Sequence, residues 1–324
     1  MECAITTADR IVYGVIYPIL VLIGLLANFT VILVILSSKK MRHASAAIFP
    51  LNLAIADILF IATVSLPKAI NWINWNDWTH FTLWDENCQL RLRAPLCPLM
   101  YFLLETAYYV STLTFYAICA QRYISIMYPF QAQWICSTRR ILLVVALLWL
   151  VFAIHESHHI FRNLQVFTQH RSETIKCSSL LDNDALWYKV TRFVMDAIWY
   201  TLFGVTMFFY LRMFCVLRKN CTQNIVHTKK KKAMVTLTHC LLVFIVCQLP
   251  EGISDELRSI FGIPTPTPVR YAVLLLSLIN NILNPFLYSI LSSNFKDELT
   301  KLVCRFKKNF GLTRQTTVQT NYLK

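Results

Sequence analysis

The sequence predicts an all-α membrane protein, a seven-transmembrane helix bundle that ends in a short amphipathic cytoplasmic helix. Three observations carry that prediction. Hydrophobic residues make up 56% of the 324 and charged residues only 15%, where soluble domains hold roughly 25% charged. The apolar residues fall into seven long runs, most of them long enough for a helix of about 20 residues across about 30 Å of hydrocarbon. Lysine and arginine gather in alternate connections between the runs, as the positive-inside rule expects. A soluble bundle would show polar faces on its outer helices, and none is visible. A β-barrel would alternate polarity along short segments.

The runs cover residues 11–36, 44–70, 99–127, 141–154, 187–217, 233–250 and 269–291. The fourth is short and is expected to continue through residues 155–160. Each run carries a residue that lipid penalises. The first holds Asn28 in "GLLANFTV", the second Asp57 in "LNLAIADILF", and the third Arg122 in "AQRY". Trp149 stands in the fourth, within "ALLWL". The fifth reads "DAIWYTLFGVTMFFY". Pro250 closes the sixth, in "CQLPE", and the seventh contains "NNILNPFLY". A charge at mid-bilayer costs about 2.5–3.5 kcal/mol, so such groups face the bundle interior and carry function.

The side with Lys39, Lys40, Arg42, Arg139, Arg140, Arg218, Lys219, four lysines at 229–232 and a basic tail is expected to be cytoplasmic. Residues 1–10 are then an extracellular N-terminus, 11–292 the transmembrane domain, and 293–324 an amphipathic helix and cytoplasmic tail. No cleavable signal is visible. The net charge of +14 reports this topology, because no soluble basic face exists for nucleic acid. Of the eleven cysteines, Cys3, Cys88, Cys97 and Cys177 fall on the outer side, where disulfides persist. Four cysteines allow three pairings. A Cys97–Cys177 bridge would tie the longest outer loop over the mouth of the bundle, and Cys3–Cys88 is a second pairing. The histidines His155, His158 and His159 stand beside no nucleophile or metal set, and no catalytic constellation is present.

In "LAIAD", "QRY", "CQLP" and "NPFLY", each in its own span and in this order, the chain resembles the rhodopsin-like G-protein-coupled receptors. As helix, the stretch from Cys97 to Arg122 rises about 37 Å, which puts the two at opposite membrane faces. The resemblance covers nearly the whole chain. It implies a plasma-membrane receptor, not an enzyme. It also implies that Arg122 and Tyr123 switch G-protein coupling together with Tyr210, Pro250, Asn284, Pro285 and Tyr288. Asp57 would bind an allosteric sodium ion with Ser111, Asn280, Asn281 and Asn284, and no other cofactor is implied. Hard cations take oxygen ligands of this kind.

The departures from the family touch the switching parts. An acid usually precedes the arginine, and here Gln121 stands in its place. The sixth span usually carries Trp where Gln248 stands, and the fifth lacks the family's proline. Gln121 can hydrogen-bond Arg122 but supplies no charge, and the lysines at 229–232 offer no second restraint.

By resemblance, Leu104 excludes an amine receptor and Leu278 an opsin. The outer halves are instead acidic and aromatic. Glu105 sits about 12 Å of helix below Cys97, with Tyr101, Tyr108 and Thr112 on its face. Glu251 and Asp255 share a face of the sixth helix. Glu156, Asp196 and Glu256 lie on the same side, Arg258 and Arg270 are rim cations that can pair with these acids, and Trp72, Trp75 and Trp78 offer stacking surface. A carboxylate in a dry cavity attracts a guanidinium strongly. The expected ligand is a short basic, amidated peptide, as for the peptide-binding members of the family. The tail repeats Phe295, Leu299, Leu302, Val303 and Phe306 at helical spacing, and its lysines meet anionic lipid. Cys304 is a palmitoylation candidate. Thr316, Thr317 and Thr320 are candidates for phosphorylation and arrestin binding. A ligand scavenger without coupling is the alternative function. A transporter is disfavoured, because no internal repeat is present.

Overall fold

The computed structural model describes residues 7–65, 91–93, 96–162, 174–176, 186–219, 238, 242, 244–291 and 293–309. Its helices form the all-α seven-transmembrane bundle. Four described helices are long and apolar enough to cross a membrane: Val12–Ser37, Ser45–Thr63, Thr138–Glu156 and Phe193–Val216. The third span, Leu96–Met127, packs against the second, fourth and fifth spans. The sixth runs through Phe244–Gln248 into Leu249–Phe261, and the seventh is Thr267–Leu291.

The first span shows why these helices need lipid. Tyr17, Val21, Gly24, Asn28, Val31 and Val34 form one buried stripe. The opposite face is equally apolar, yet Ile19, Leu22, Leu26, Phe29 and Leu33 are exposed. Apolar on all sides, the helix has no face suited to water. Gly24 is where three segments meet. A Cβ there would lie 2.9 Å from Ile61 Cδ1 and 3.1 Å from Ile282 Cγ1, so glycine leaves room for both isoleucines where the first, second and seventh spans meet.

The fourth span is attached differently. Among its residues Leu142, Leu143, Leu147, Leu150, Val151 and Ile154 are exposed, while Ile141, Phe152 and Glu156 are buried. The expected continuation is interrupted: the helix ends at Glu156, and His158–Arg162 starts a separate short helix after Ser157. The sixth helix extends well past Pro250, where the apolar run stops, and its Glu251 lines a cavity between the helices. It ends at Gly262, whose φ of +64° is the left-handed conformation glycine adopts freely.

Outside the helices, Arg91–Arg93 and Thr174–Lys176 form an antiparallel pair, with Leu92 opposite Ile175. The sequence reading contains no strand here. This pair joins the entry to the third span with the loop after the fourth.

The tail helix Ser293–Asn309 is only partly as expected. Phe295 is buried and, with Leu299 and Leu302, packs on Val31, Val34, Ile35, Met41, Ala47 and Ala54. Val303 and Phe306 stay exposed. Lys40 Nζ donates to Asn294 Oδ1 at 2.9 Å, and Lys301 Nζ donates to Glu298 Oε1 at 2.8 Å. Outside the spans, the Lys301 ammonium beside Glu298 holds that carboxyl below the usual carboxylate range.

Candidate functional site

Three polar sites line the bundle, at its middle, at the Arg122 end and at the Glu105 end. The middle site begins with a missing donor. Pro285 sits inside the seventh helix and has no N–H, so the carbonyl four residues earlier, at Asn281, loses its helical partner. Asn28 replaces that partner. Its Nδ2 donates to Asn281 O and to Gly24 O, both at 3.0 Å. Asn281 Nδ2 in turn donates to Ser277 O at 3.3 Å.

Asp57 is fully buried. Ser111 Oγ donates to its Oδ1 at 2.6 Å, and Asn284 Nδ2 donates to its Oδ2 at 2.8 Å. The second, third and seventh spans therefore meet at one carboxylate. Two buried oxygens in this network, Asn28 Oδ1 and Asn284 Oδ1, have no hydrogen-bond partner. Both are acceptors, and the donated bonds of their amide nitrogens fix which atom is which. The unmet oxygen of Asn284 belongs to a residue that already donates to Asp57, and oxygens of this kind suit a hard cation. Asn280, buried as well, lies on the same helix. A second buried triad joins three spans: Asn52 Nδ2 donates to Thr114 Oγ1 and Trp149 Nε1 donates to Asn52 Oδ1, each at 2.7 Å.

At the Arg122 end, Gln121 is buried. Among the described residues no hydrogen bond joins the neutral Gln121 amide to Arg122. Arg122 Nε is buried without a partner. Tyr123 stacks on Phe209 with 4.3 Å between ring centroids. Phe115, Cys119 and Met213 complete that cluster, and Tyr210 packs against it. Pro250 lies in the first turn of Leu249–Phe261. The side chain of Tyr288 lies outside the described residues.

Toward the other end, a cavity with about 280 Å³ of empty space, part of it open to solvent, lies between the helices. Tyr108, Ser111, Thr112, Gln248, Glu251 and Asn280 line it. It thus brings two expected ligand residues, Tyr108 and Glu251, up against the donor to Asp57. Glu105 and Tyr101 are half-buried on the same third helix. The side chains of Cys97 and Asp255 lie outside the described residues, as do Cys177, the three outer tryptophans, the lysines at 229–232 and the three threonines of the tail. Cys304 is exposed on the tail helix.

Sequence reasoning missed Asn52 and Thr114 and gave Gln248 no site role. Gln248 is 6% exposed, and its Oε1 lacks a hydrogen-bond partner. The only signal was a polar side chain inside an apolar run.

The sequence profile of the family "7 transmembrane receptor (rhodopsin family)" matches residues 27–288. Among curated proteins, cysteinyl leukotriene receptor 2 of Sus scrofa is 24% identical over 98% of this chain and 91% of that receptor. C-X-C chemokine receptor type 1 of Oryctolagus cuniculus is 25% identical over 97% of this chain and 87% of its own length. Neuropeptide receptor 15 of Caenorhabditis elegans is 24% identical over 91% of this chain and 90% of its own. The match spans most of the bundle and the polar network built around Asp57, and the chain belongs to the rhodopsin family of seven-transmembrane receptors, multi-pass proteins of the plasma membrane that are receptors and not enzymes.

Proposed function

We propose that this receptor binds an extracellular ligand with a cationic group, a short basic peptide, and promotes nucleotide exchange on a heterotrimeric G protein. The observation that carries the reading is the polar cavity in which Glu251 and Tyr108 stand above the donor to Asp57. Glu105 and Asp255 add acid on the third and sixth helices, and Tyr101 adds aromatic surface. The names of the relatives span a leukotriene, chemokines and a neuropeptide, so the choice of a cationic peptide rests on this chain's own acids. In this reading the Glu105 end and the N-terminus face outward, and a Cys97–Cys177 bridge holds the outer loop. The strand Thr174–Lys176 ends one residue before Cys177, and its partner strand leads into the helix that carries Cys97.

A sodium ion at Asp57, with Ser111, Asn280, Asn281 and Asn284 as the set, is part of the same proposal. The unmet oxygens of Asn28 and Asn284 support it. Ligand entry would then pass along helices whose inner ends carry Arg122, Tyr123 and Tyr210. Arrestin binding through the tail threonines and a lipid on Cys304 complete the reading.

A panel of amidated basic peptides, read by GTPγS uptake on reconstituted G protein, tests it. An agonist from the panel should lose tenfold or more in potency in Glu251→Gln and in Glu105→Gln, since a desolvated charge pair is worth several kcal/mol. Full potency in both variants excludes the cationic pocket. Binding without exchange on any G protein favours the scavenger.

A further inference from the structure

At the Arg122 end, the exposed surface of the fourth span closes on a cation. Leu143, Leu147, Leu150 and Ile154 follow one another at four- and three-residue steps and are 48–65% exposed. At that spacing they form one apolar stripe along the helix. Arg140 carries the stripe one step further, three residues before Leu143. As helix, the stretch from Arg140 to Leu150 rises about 15 Å, half of a hydrocarbon core of about 30 Å. The stripe next to Arg140 therefore has the depth of one leaflet.

Arg140 is held in a fixed pose by the short helix Pro129–Ile135. Its guanidinium carbon lies 3.2 Å from the centroid of the Trp134 ring, and its Nη1 donates to the Trp134 carbonyl at 3.1 Å. The stack covers one face of the group, and the bond uses one of its five N–H donors. A carboxylate would be the ordinary partner for the others. The chain has no Asp or Glu between Glu105 and Glu156, and among the described residues no ion pair reaches Arg140. Arg139, exposed beside it, adds a second cation. Trp134 is 68% exposed although it is stacked. An aromatic ring with one polar edge, set against a cation at the end of a lipid-facing helix, suits the boundary between hydrocarbon and headgroups.

We propose that Arg140 and Trp134 form a site for one anionic phospholipid. The guanidinium takes the phosphate through its open fork, the indole covers the glycerol region, and an acyl chain lies along Leu143, Leu147 and Leu150. Two features select a lipid over a protein partner. The stripe is continuous with the surface of the fourth span that the membrane covers. The cations stand at its polar end, as the phosphate of a phospholipid stands at the end of its chains. Arginine matches phosphate bidentately, and a side chain already fixed by stacking loses less freedom on binding. The site shares no residue with the ligand cavity or the Asp57 network.

The test uses full-length receptor in phosphatidylcholine nanodiscs doped with a phospholipid that carries a photoreactive acyl chain. Two probes differ only in headgroup, phosphatidylglycerol or phosphatidylcholine, and crosslinks are mapped to residues 141–150. Native receptor should label there roughly fivefold more with the anionic probe, the pull of about one basic side chain on an anionic lipid. Arg140→Gln and Trp134→Ala should each bring the two probes level. Arg140→Lys keeps the charge but loses the stacked fork, and should lose most of the preference. Equal labelling of native receptor by both probes overturns the inference without recourse to any variant. A preference that survives in Arg140→Lys or in Trp134→Ala overturns it too, since a diffuse basic surface would give that result. Equal labelling together with weaker G-protein binding by Arg140→Gln assigns the face to a protein partner instead. Nanodiscs offer the same lipids on both faces, so no outcome depends on which end of the bundle is cytoplasmic.

Discussion

Replacing Asn28 by leucine tests the bond that substitutes for the proline gap. The variant keeps the volume and removes Nδ2, which donates to Asn281 O and Gly24 O at 3.0 Å each. The carbonyl of Gly24 is the lesser loss, since the helix's own N–H at position 28 reaches it. Asn281 O has no such alternative, because Pro285 carries no N–H. A buried acceptor left unmet costs about 1–3 kcal/mol, and the lost bond about 1 more. The unmet Asn28 Oδ1 disappears with the amide and returns part of that, so the net cost should be about 2–3 kcal/mol. Thermal unfolding of purified receptor in nanodiscs should show it as a lowered midpoint. A second substitution makes the argument specific. Pro285→Ala restores the N–H that Asn281 O lacks, so Asn28→Leu should cost less in that background, with a coupling of about 1–2 kcal/mol. Strict additivity of the two substitutions would refute the reasoning, whatever the size of either alone.

Three further outcomes follow from the same structure. Gln121→Asp places a charge beside Arg122, whose Nε has no partner, and should reduce ligand-free nucleotide exchange by about tenfold for 1.4 kcal/mol of added restraint; exchange equal to or above native at matched surface expression contradicts this. Cys97→Ser should cut surface expression and ligand binding, with a stability loss of about 2–5 kcal/mol, and peptide mapping that finds Cys97 as a free thiol in folded receptor rules the bridge out. Glu298 has a lowered carboxyl midpoint through Lys301, so its contribution to holding the tail helix is present above the usual carboxylate range of about 4 and is lost as pH falls below it. Opening of Ser293–Asn309, read by hydrogen exchange corrected for the intrinsic rate at each pH, should rise on acidification in native receptor. In Glu298→Gln it should already be raised at neutral pH, and an unchanged profile there argues against the tie.

The spans were legible because lipid imposes a local rule: every residue of a run must be apolar or pay for it within the bundle. The partners of the exceptions were not legible. Pro285 and Asn28 each stand out in sequence, but the bond by which Asn28 fills the proline's gap runs to Asn281 O, 253 positions away. Asn52 and Thr114, 62 positions apart, look like ordinary small polar residues until they face each other. The sixth helix beyond Pro250 was legible only through the shared face of Glu251 and Asp255, since polar residues there break the apolar run. His155 was read with the outer histidines and Glu156 with the pocket acids, because no pattern announces that a buried acid meets its own neighbour.

The Trp149–Asn52–Thr114 contact has a consequence for how the protein is built. In lipid, apolar side chains gain little by leaving one apolar neighbour for another, so packing alone holds a span weakly in place. The fourth span presents leucine and valine almost all round. Sliding it by one turn would exchange similar contacts for similar contacts. The indole N–H would lose its acceptor and carry an unmet donor into hydrocarbon. During biogenesis, then, the second and third spans must already be side by side before the fourth can find its depth, and a single hydrogen bond acts as the alignment pin of that assembly step.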